Sequence, residues 1–288
     1  MASLPRLVHT RAGLAEACDA ARRAGKTVGI VPTMGALHAG HLSLIGRARQ
    51  EGATFVVVTI FINPLQFGEG EDLARYPRTL SADVEACADA LVDVVFVPEN
   101  GEMYEANFAT TVSVSGMTTT LEGAHRPGHF DGVTTVVAKL LSLTAPTIAV
   151  FGRKDHQQQA VIHRMTTDLD IRARIVAAPT VREEDGLALS SRNRYLAPTE
   201  RKRATGIARG LRAADELFRR GERNPGALAQ AAREKVDATF DAVDYVEAVD
   251  PTTLAPALDG ASSILIVVAA HIGGTRLIDN AILGEDQL

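Results

Sequence analysis

Apolar positions follow two alternating rhythms through the first two thirds of the chain. Mainly apolar stretches of strand length, rich in Val, Ile and Phe, fall at 27–32, 54–60, 92–97, 147–151 and 171–177. Between them, at 14–24, 41–50, 81–91, 133–144 and 155–168, apolar residues recur every three or four positions, which predicts amphipathic helices. Val133, Val136, Val137, Leu140 and Leu141 mark such a helix face. Strands separated by helices imply crossover connections and parallel pairing, so the pattern predicts an α/β fold with a doubly wound, Rossmann-like parallel sheet. Such sheets bind ligands at the carboxyl ends of their strands, where the strand order reverses.

The rhythm changes after about residue 185. A helix follows Pro198, with Ile207, Leu211, Ala214 and Leu217 on one face. A second helix covers 224–240, and short strands follow at 243–249, 263–270 and about 275–282. Helices followed by strands predict a smaller C-terminal α+β domain. The expected division is therefore 1–185 for the Rossmann-like domain and 186–288 for the smaller one. No repeat or low-complexity stretch interrupts either.

Composition narrows the partners. The 288 residues are 46% hydrophobic and 23% charged, with a net charge of −5 and no Trp. No basic stripe with interleaved aromatics is present, which argues against nucleic acid. Cys18 and Cys87 lie far apart without CxxC spacing, so neither a disulfide framework nor a zinc site is expected, and the cytoplasm is the simplest setting. The start of the chain lacks an apolar signal core, and Ile264 to Ala270 is too short to span a bilayer, so no membrane association is expected.

The candidate chemistry is concentrated in four loops. The first is Pro32-Thr33-Met34-Gly35-Ala36-Leu37-His38-Ala39-Gly40-His41, set between a predicted strand and a predicted helix. A helix N-terminus attracts phosphate, Gly40 admits a nucleotide close to the backbone, and imidazoles there can donate to phosphate oxygens. This is a His-x-Gly-His signature of nucleotidyl transfer. The second loop, Phe61-Ile62-Asn63-Pro64-Leu65-Gln66-Phe67, offers neutral amides suited to a small hydroxy acid, although Asn-Pro is also a common turn starter. The third, Gly152-Arg153-Lys154-Asp155-His156-Gln157-Gln158, opens a helix with Lys154 and Gln158 one turn apart. The fourth, Ser190-Ser191-Arg192-Asn193, can clamp a polyphosphate, and read alone it is equally a polar linker. Gly25-Lys26-Thr27 is not a phosphate loop, because it precedes a strand and position 20 is alanine. His125 and His129 have metal-like spacing, but Pro127 and Gly128 between them favour a loop-anchoring role.

Taken in order, these motifs resemble the pantoate–β-alanine ligases, a family of His-x-Gly-His nucleotidylyltransferases. Tyr76-Pro77-Arg78-Thr79, Leu121-Glu122-Gly123, Arg126-Pro127-Gly128-His129-Phe130-Asp131-Gly132-Val133 and Arg276-Leu277-Ile278-Asp279-Asn280 extend the match. The resemblance implies an AMP-forming ligase that condenses (R)-pantoate with β-alanine through a pantoyl adenylate, using ATP with Mg²⁺, as a cytoplasmic homodimer. It implies His38, His41, Lys154 and Arg192 as catalytic residues. The implied ATP site comprises Met34, Gly35, Ala36, Leu37, His38, Ala39, Gly40 and His41, then Gly152, Arg153, Lys154 and Asp155, then Val181, Leu189, Ser190, Ser191 and Arg192. Gln66 and Gln158 would hold pantoate. No protein metal ligand is implied beyond Asp83 as an outer candidate, since Mg²⁺ is held mainly by phosphates and water. The chain departs from the family pattern at Arg153, His156 and Leu189, where Glu or Gln, Tyr, and Met are common. Two alternatives stay open at this point: another nucleotidylyltransferase of the superfamily, or a catalytically silent nucleotide-binding module.

Overall fold

The computed structural model describes residues 4–288, whose contacts divide into two units. The first runs to Gly152 and includes Val161–Ala178; the second is Arg153–Ala160 with Pro179–Leu288.

The first unit holds a six-stranded sheet made of β1 (Arg6–Val8), β2 (Val28–Thr33), β3 (Phe55–Ile60), β4 (Val94–Phe96), β5 (Ile148–Gly152) and β6 (Arg174–Ala178). Its order is β1-β4-β3-β2-β5-β6, and every pairing is parallel. Six helices accompany these strands: α1 (Arg11–Arg23), α2 (Ala39–Gln50), α3 (Leu80–Asp89), α4 (Asn100–Met103), α5 (Glu122–His125) and α6 (His129–Thr144). A seventh, α7 (His156–Asp168), follows β5. Successive strand residues supply opposite faces of the sheet. Ile30, Val57 and Phe151 enter a core with Leu14, Leu141 and Ile162, while Val31, Val58 and Val150 enter another with Ile45 and Cys87. Burial on both faces is why the central strands read as mainly apolar runs. The chain adds β3 and β4 on one side of β2, then β5 and β6 on the other. The switch point therefore lies between the carboxyl ends of β2 and β5.

The second unit contains α8 (Pro198–Ala204), α9 (Gly206–Arg219), α10 (Pro225–Asp237) and an antiparallel sheet of β7 (Ala242–Val249), β8 (Leu265–Ile272) and β9 (Thr275–Ile282). Ile207, Leu211, Phe218, Leu228 and Val236 from the helices pack with Ile266 and Val268 from the sheet. The α/β fold with a small α+β element at the C-terminus is the architecture the periodicity predicts.

Three local differences have physical causes. β1 is a three-residue edge strand with Leu7 exposed, too short to produce an apolar run. The strand expected over 171–177 starts at Arg174, because Asp170 takes a left-handed φ of 50° and the Ile171 N–H returns to the Thr166 carbonyl at 2.9 Å, ending α7. The helix expected after Pro198 divides at Thr205, whose hydroxyl donates to the Lys202 carbonyl at 2.8 Å. Among the described residues, no helix is long and apolar enough to cross a membrane.

Candidate functional site

The loop leaving β2 is shaped by a turn that few side chains tolerate. Gly35 has φ +83° and the buried Ala36 has φ 51°, both in the left-handed region. Buried Asp83, from α3, holds this turn. Its Oδ2 accepts from the Ala36 N–H at 3.0 Å and its Oδ1 from the Leu37 N–H at 2.8 Å. The Thr79 hydroxyl lies 3.2 Å from both oxygens. Asp83, implied above as an outer Mg²⁺ candidate, therefore anchors this loop through both of its oxygens.

The turn delivers His38 to the N-cap of α2 and His41 to its third position. The two rings cap the helix reciprocally: His38 Nδ1 accepts from the Gly40 N–H at 3.2 Å, and His41 Nδ1 accepts from the His38 N–H at 3.3 Å. Their centroids are 4.1 Å apart. Backbone N–H groups only donate, so both Nδ1 atoms are unprotonated and each neutral ring carries its proton on Nε2. The local fold therefore fixes two Nε2–H donors at a helix N-terminus beside the switch point.

Gln66 is oriented by an equally determinate network. Asn63 Oδ1 accepts from the Leu65 N–H at 3.3 Å and from the Tyr104 hydroxyl at 2.8 Å. Asn63 Nδ2 therefore donates, to Gln66 Oε1 at 3.0 Å and to the Gly132 carbonyl at 3.0 Å. Gln66 is left with Nε2 as its outward donor, 3.4 Å from Met34 Sδ. Gly132 is required here, since a Cβ would lie 2.3 Å from the Leu65 carbonyl oxygen. Tyr104 and Asn63 thus serve Gln66, and neither role could be read from spacing along the chain.

The backbone of Gln66 is held from the other side by His129, the loop anchor expected above. His129 Nδ1–H donates to the Gln66 carbonyl at 2.8 Å, so Nε2 is the acceptor for Arg126 Nη1 at 3.1 Å. Arg126 in turn grips Glu71 through two hydrogen bonds of 2.7 and 2.6 Å. Burial would raise the Glu71 carboxyl, but the Arg126 guanidinium overcomes it and holds the group below its ordinary value. Burial, reinforced by Arg126, pushes His129 down to about 4. Its proton is thus disfavoured in the folded state, and stability present above pH 6.5 is lost as pH falls toward 4. From pH 7 to pH 5 the loss through His129 is expected to be about 2 kcal/mol. Urea unfolding at the two pH values should show His129→Gln with a visibly smaller pH dependence; an unchanged dependence would remove His129 as its source.

The remaining candidates lie in the second unit, except Gly152, which ends β5. Arg153–Asp155 form a single 3-10 turn ahead of α7. Arg153 points its guanidinium to Asp286 at 2.7 Å, so the departure from the family pattern carries its own counter-charge. Lys154 is half-buried, and no described residue pairs with its side chain. His156 Nε2–H donates to the Pro251 carbonyl at 2.7 Å, and burial holds its pKa below the ordinary value. Val181 and Leu189 face each other in a hairpin, with the Leu189 N–H on the Val181 carbonyl at 2.9 Å. Ser190 then caps the next 3-10 turn, accepting from the Arg192 N–H at 3.2 Å, so Ser190, Ser191 and Arg192 leave the hairpin as one element. The hairpin is tied to β9 by the pair of Arg182 with the buried Asp279 at 2.5 Å.

The family model for pantoate-beta-alanine ligase matches residues 6–282. A pantothenate synthetase of Thioalkalivibrio sulfidiphilus is 52% identical over 275 residues, covering 95% of this chain and 96% of that protein. One from Moorella thermoacetica is 48% identical over 278 residues, covering 96% and 98%. A crystal structure of pantothenate synthetase from Thermus thermophilus superposes with a TM-score of 0.90 at 47% identity, covering 96% of this chain and 98% of that one. A Francisella tularensis pantoate-beta-alanine ligase, solved with beta-gamma ATP and beta-alanine, gives a TM-score of 0.79 at 33% identity, covering 96% and 97%. With the family model matching nearly the whole length and the fold in agreement with solved relatives, this chain belongs to the pantoate-beta-alanine ligase family.

Proposed function

We propose that this chain condenses pantoate with β-alanine at the expense of ATP, in two steps. The pantoate carboxylate attacks the α-phosphorus of ATP, forming an acyl–phosphate bond and breaking the bond to pyrophosphate, which leaves. The β-alanine amine then attacks the acyl carbon, forming the amide and releasing AMP. Neither step needs a covalent enzyme nucleophile; alignment of the reactants and stabilisation of developing charge suffice.

The observation that carries this reading is the reciprocal His38–His41 cap, which presents two Nε2–H donors where a helix N-terminus already favours phosphate. In this reading His38 and His41 donate to the phosphates, and Lys154 and Arg192 offset charge on the pentacoordinate phosphorus with Ser190 and Ser191. Gln66 Nε2–H and the Gln158 amide hold pantoate. Mg²⁺ enters with ATP as part of the substrate, screening its phosphates. The commitment of Asp83 to the loop supports a carrier role for the nucleotide rather than a protein cage. The enzyme is further proposed to be cytoplasmic and to be a homodimer; light scattering on the purified protein tests the second.

AMP formation from ATP, pantoate and β-alanine, with each omitted in turn, tests the reaction. Pyrophosphate release with pantoate alone is expected to stop after about one turnover, because the adenylate stays bound. Strict dependence of that first turnover on β-alanine would overturn the two-step order. Gln158→Ala is expected to raise the pantoate KM about tenfold or more, as loss of a buried substrate hydrogen bond does. An unchanged KM would remove Gln158 from the pantoate site.

A further inference from the structure

The carboxyl end of β9 does more than complete a sheet. Asn280 is buried, 5% exposed, and its side-chain amide is turned toward the 3-10 turn at the start of α7. Its Nδ2 donates both hydrogens, one to the Arg153 carbonyl at 3.0 Å and one to the Lys154 carbonyl at 2.7 Å. One planar group thereby fixes two successive peptide planes, on either side of the Lys154 Cα. The amide is itself held in place. Asn280 pairs with Val267 on β8, its N–H meets Asp279 Oδ1 at 2.8 Å, and its carbonyl accepts from Arg182 Nη2 at 3.4 Å. A second tether runs from the same end of the strand: Asp286 Oδ2 accepts the Ile282 N–H at 2.8 Å while its Oδ1 takes Arg153. Arg153 is thus drawn off and neutralised, and Lys154 is the cation of this turn without a counter-charge among the described residues.

We infer that Asn280 is a positioning residue for Lys154: it sets the direction in which the ammonium group leaves the turn, without touching substrate itself. The inference rests on the proposed role of Lys154 at the reacting phosphate. A long flexible lysine gains transition-state contact only if its root is fixed, because small misplacements of a charge-stabilising group cost rate steeply.

The test is a double-mutant cycle on the full-length enzyme. Asn280→Ala is expected to lower kcat by on the order of tenfold to a hundredfold, with the KM values for ATP and pantoate within about threefold of wild type. In a Lys154→Ala background the same substitution should cost less than about twofold, because its effect passes through the missing ammonium. A loss of folded enzyme would instead reduce turnover equally in both backgrounds, and that result would overturn the inference. So would native kcat in Asn280→Ala. Asn280→Asp, of the same shape but with oxygens facing two carbonyl oxygens, should be at least as slow as the alanine variant. If the alanine variant does not fold, Asn280→Ser, which keeps one O–H donor, is carried through the same cycle with an expected loss of about tenfold. Failure of wild-type enzyme to form AMP from the three substrates would refute the ligase reading instead, and is thereby distinguished from failure of this inference.

Discussion

His41→Asn is expected to preserve the N-terminus of α2 and to lose turnover by about 10²–10³-fold. The two functions of this ring sit on different atoms. Nδ1 accepts the His38 N–H at 3.3 Å and so belongs to the helix cap. Nε2–H is the donor assigned to phosphate. The Oδ1 of an asparagine falls near the position of Nδ1 and can accept the same N–H, but nothing replaces the Nε2–H. His41→Ala removes both, so it should match the kinetic loss and add a capping loss of about 1 kcal/mol. Glutamine places its amide nitrogen near the position of Nε2 and should recover part of the rate that asparagine loses. Steady-state kinetics with denaturant unfolding on the three variants separate the roles. Near-native turnover in His41→Asn would sink the assignment of His41 to the chemistry. A glutamine variant no faster than asparagine would show that more than a hydrogen-bond donor is needed at that atom.

Whether such a site can be read before a structure depends on whether its parts are local. The alternation of strands and helices predicted a parallel doubly wound sheet because β2, β3 and β5 are buried on both faces, which leaves a mainly apolar signature in each. β1 left no such signature, being three residues at an edge. The local shape of the His-x-Gly-His motif was legible because strand, turn and helix follow one another within about twenty residues, and its histidines are capping partners three positions apart. The supports of the candidate residues were not legible. Asp83 lies 46 positions from Leu37, Tyr104 lies 41 from Asn63, and Asn280 lies 126 from Lys154. Only folding brings those donors and acceptors together, and no periodicity records the pairing. His129 lay between: Pro127 and Gly128 excluded a shared helix with His125, which favoured an anchoring role, but its target, the Gln66 carbonyl 63 positions away, required the fold.

Asp83→Ala is the substitution expected to do most damage away from the reacting atoms. Its carboxylate is buried, and it satisfies two successive N–H groups at a turn where Ala36 is held at a φ of 51°. Hydrogen bonds to a charged acceptor contribute about 1.5–3 kcal/mol each, and a buried donor left without a partner costs about 1–3 kcal/mol. Removing the carboxylate should therefore cost about 3 kcal/mol or more in urea unfolding. Asn is not a conservative replacement, because its amide hydrogens would oppose one of the two N–H groups. Asp83→Asn should lose nearly as much. The turn also aims the backbone into His38, so variant enzyme that does fold should show a lower kcat as well as lower stability. Titration with Mg²⁺ separates this role from metal binding. A carboxylate that anchors the loop leaves a defect that added Mg²⁺ does not relieve, at any saturating concentration of ATP. A carboxylate that holds the ion leaves a raised Mg²⁺ requirement and recovers rate as the ion is added. With both oxygens already taken by Ala36 and Leu37, the expected outcome is the first, and recovery of native kcat at high Mg²⁺ would overturn the assignment of Asp83 to the loop alone.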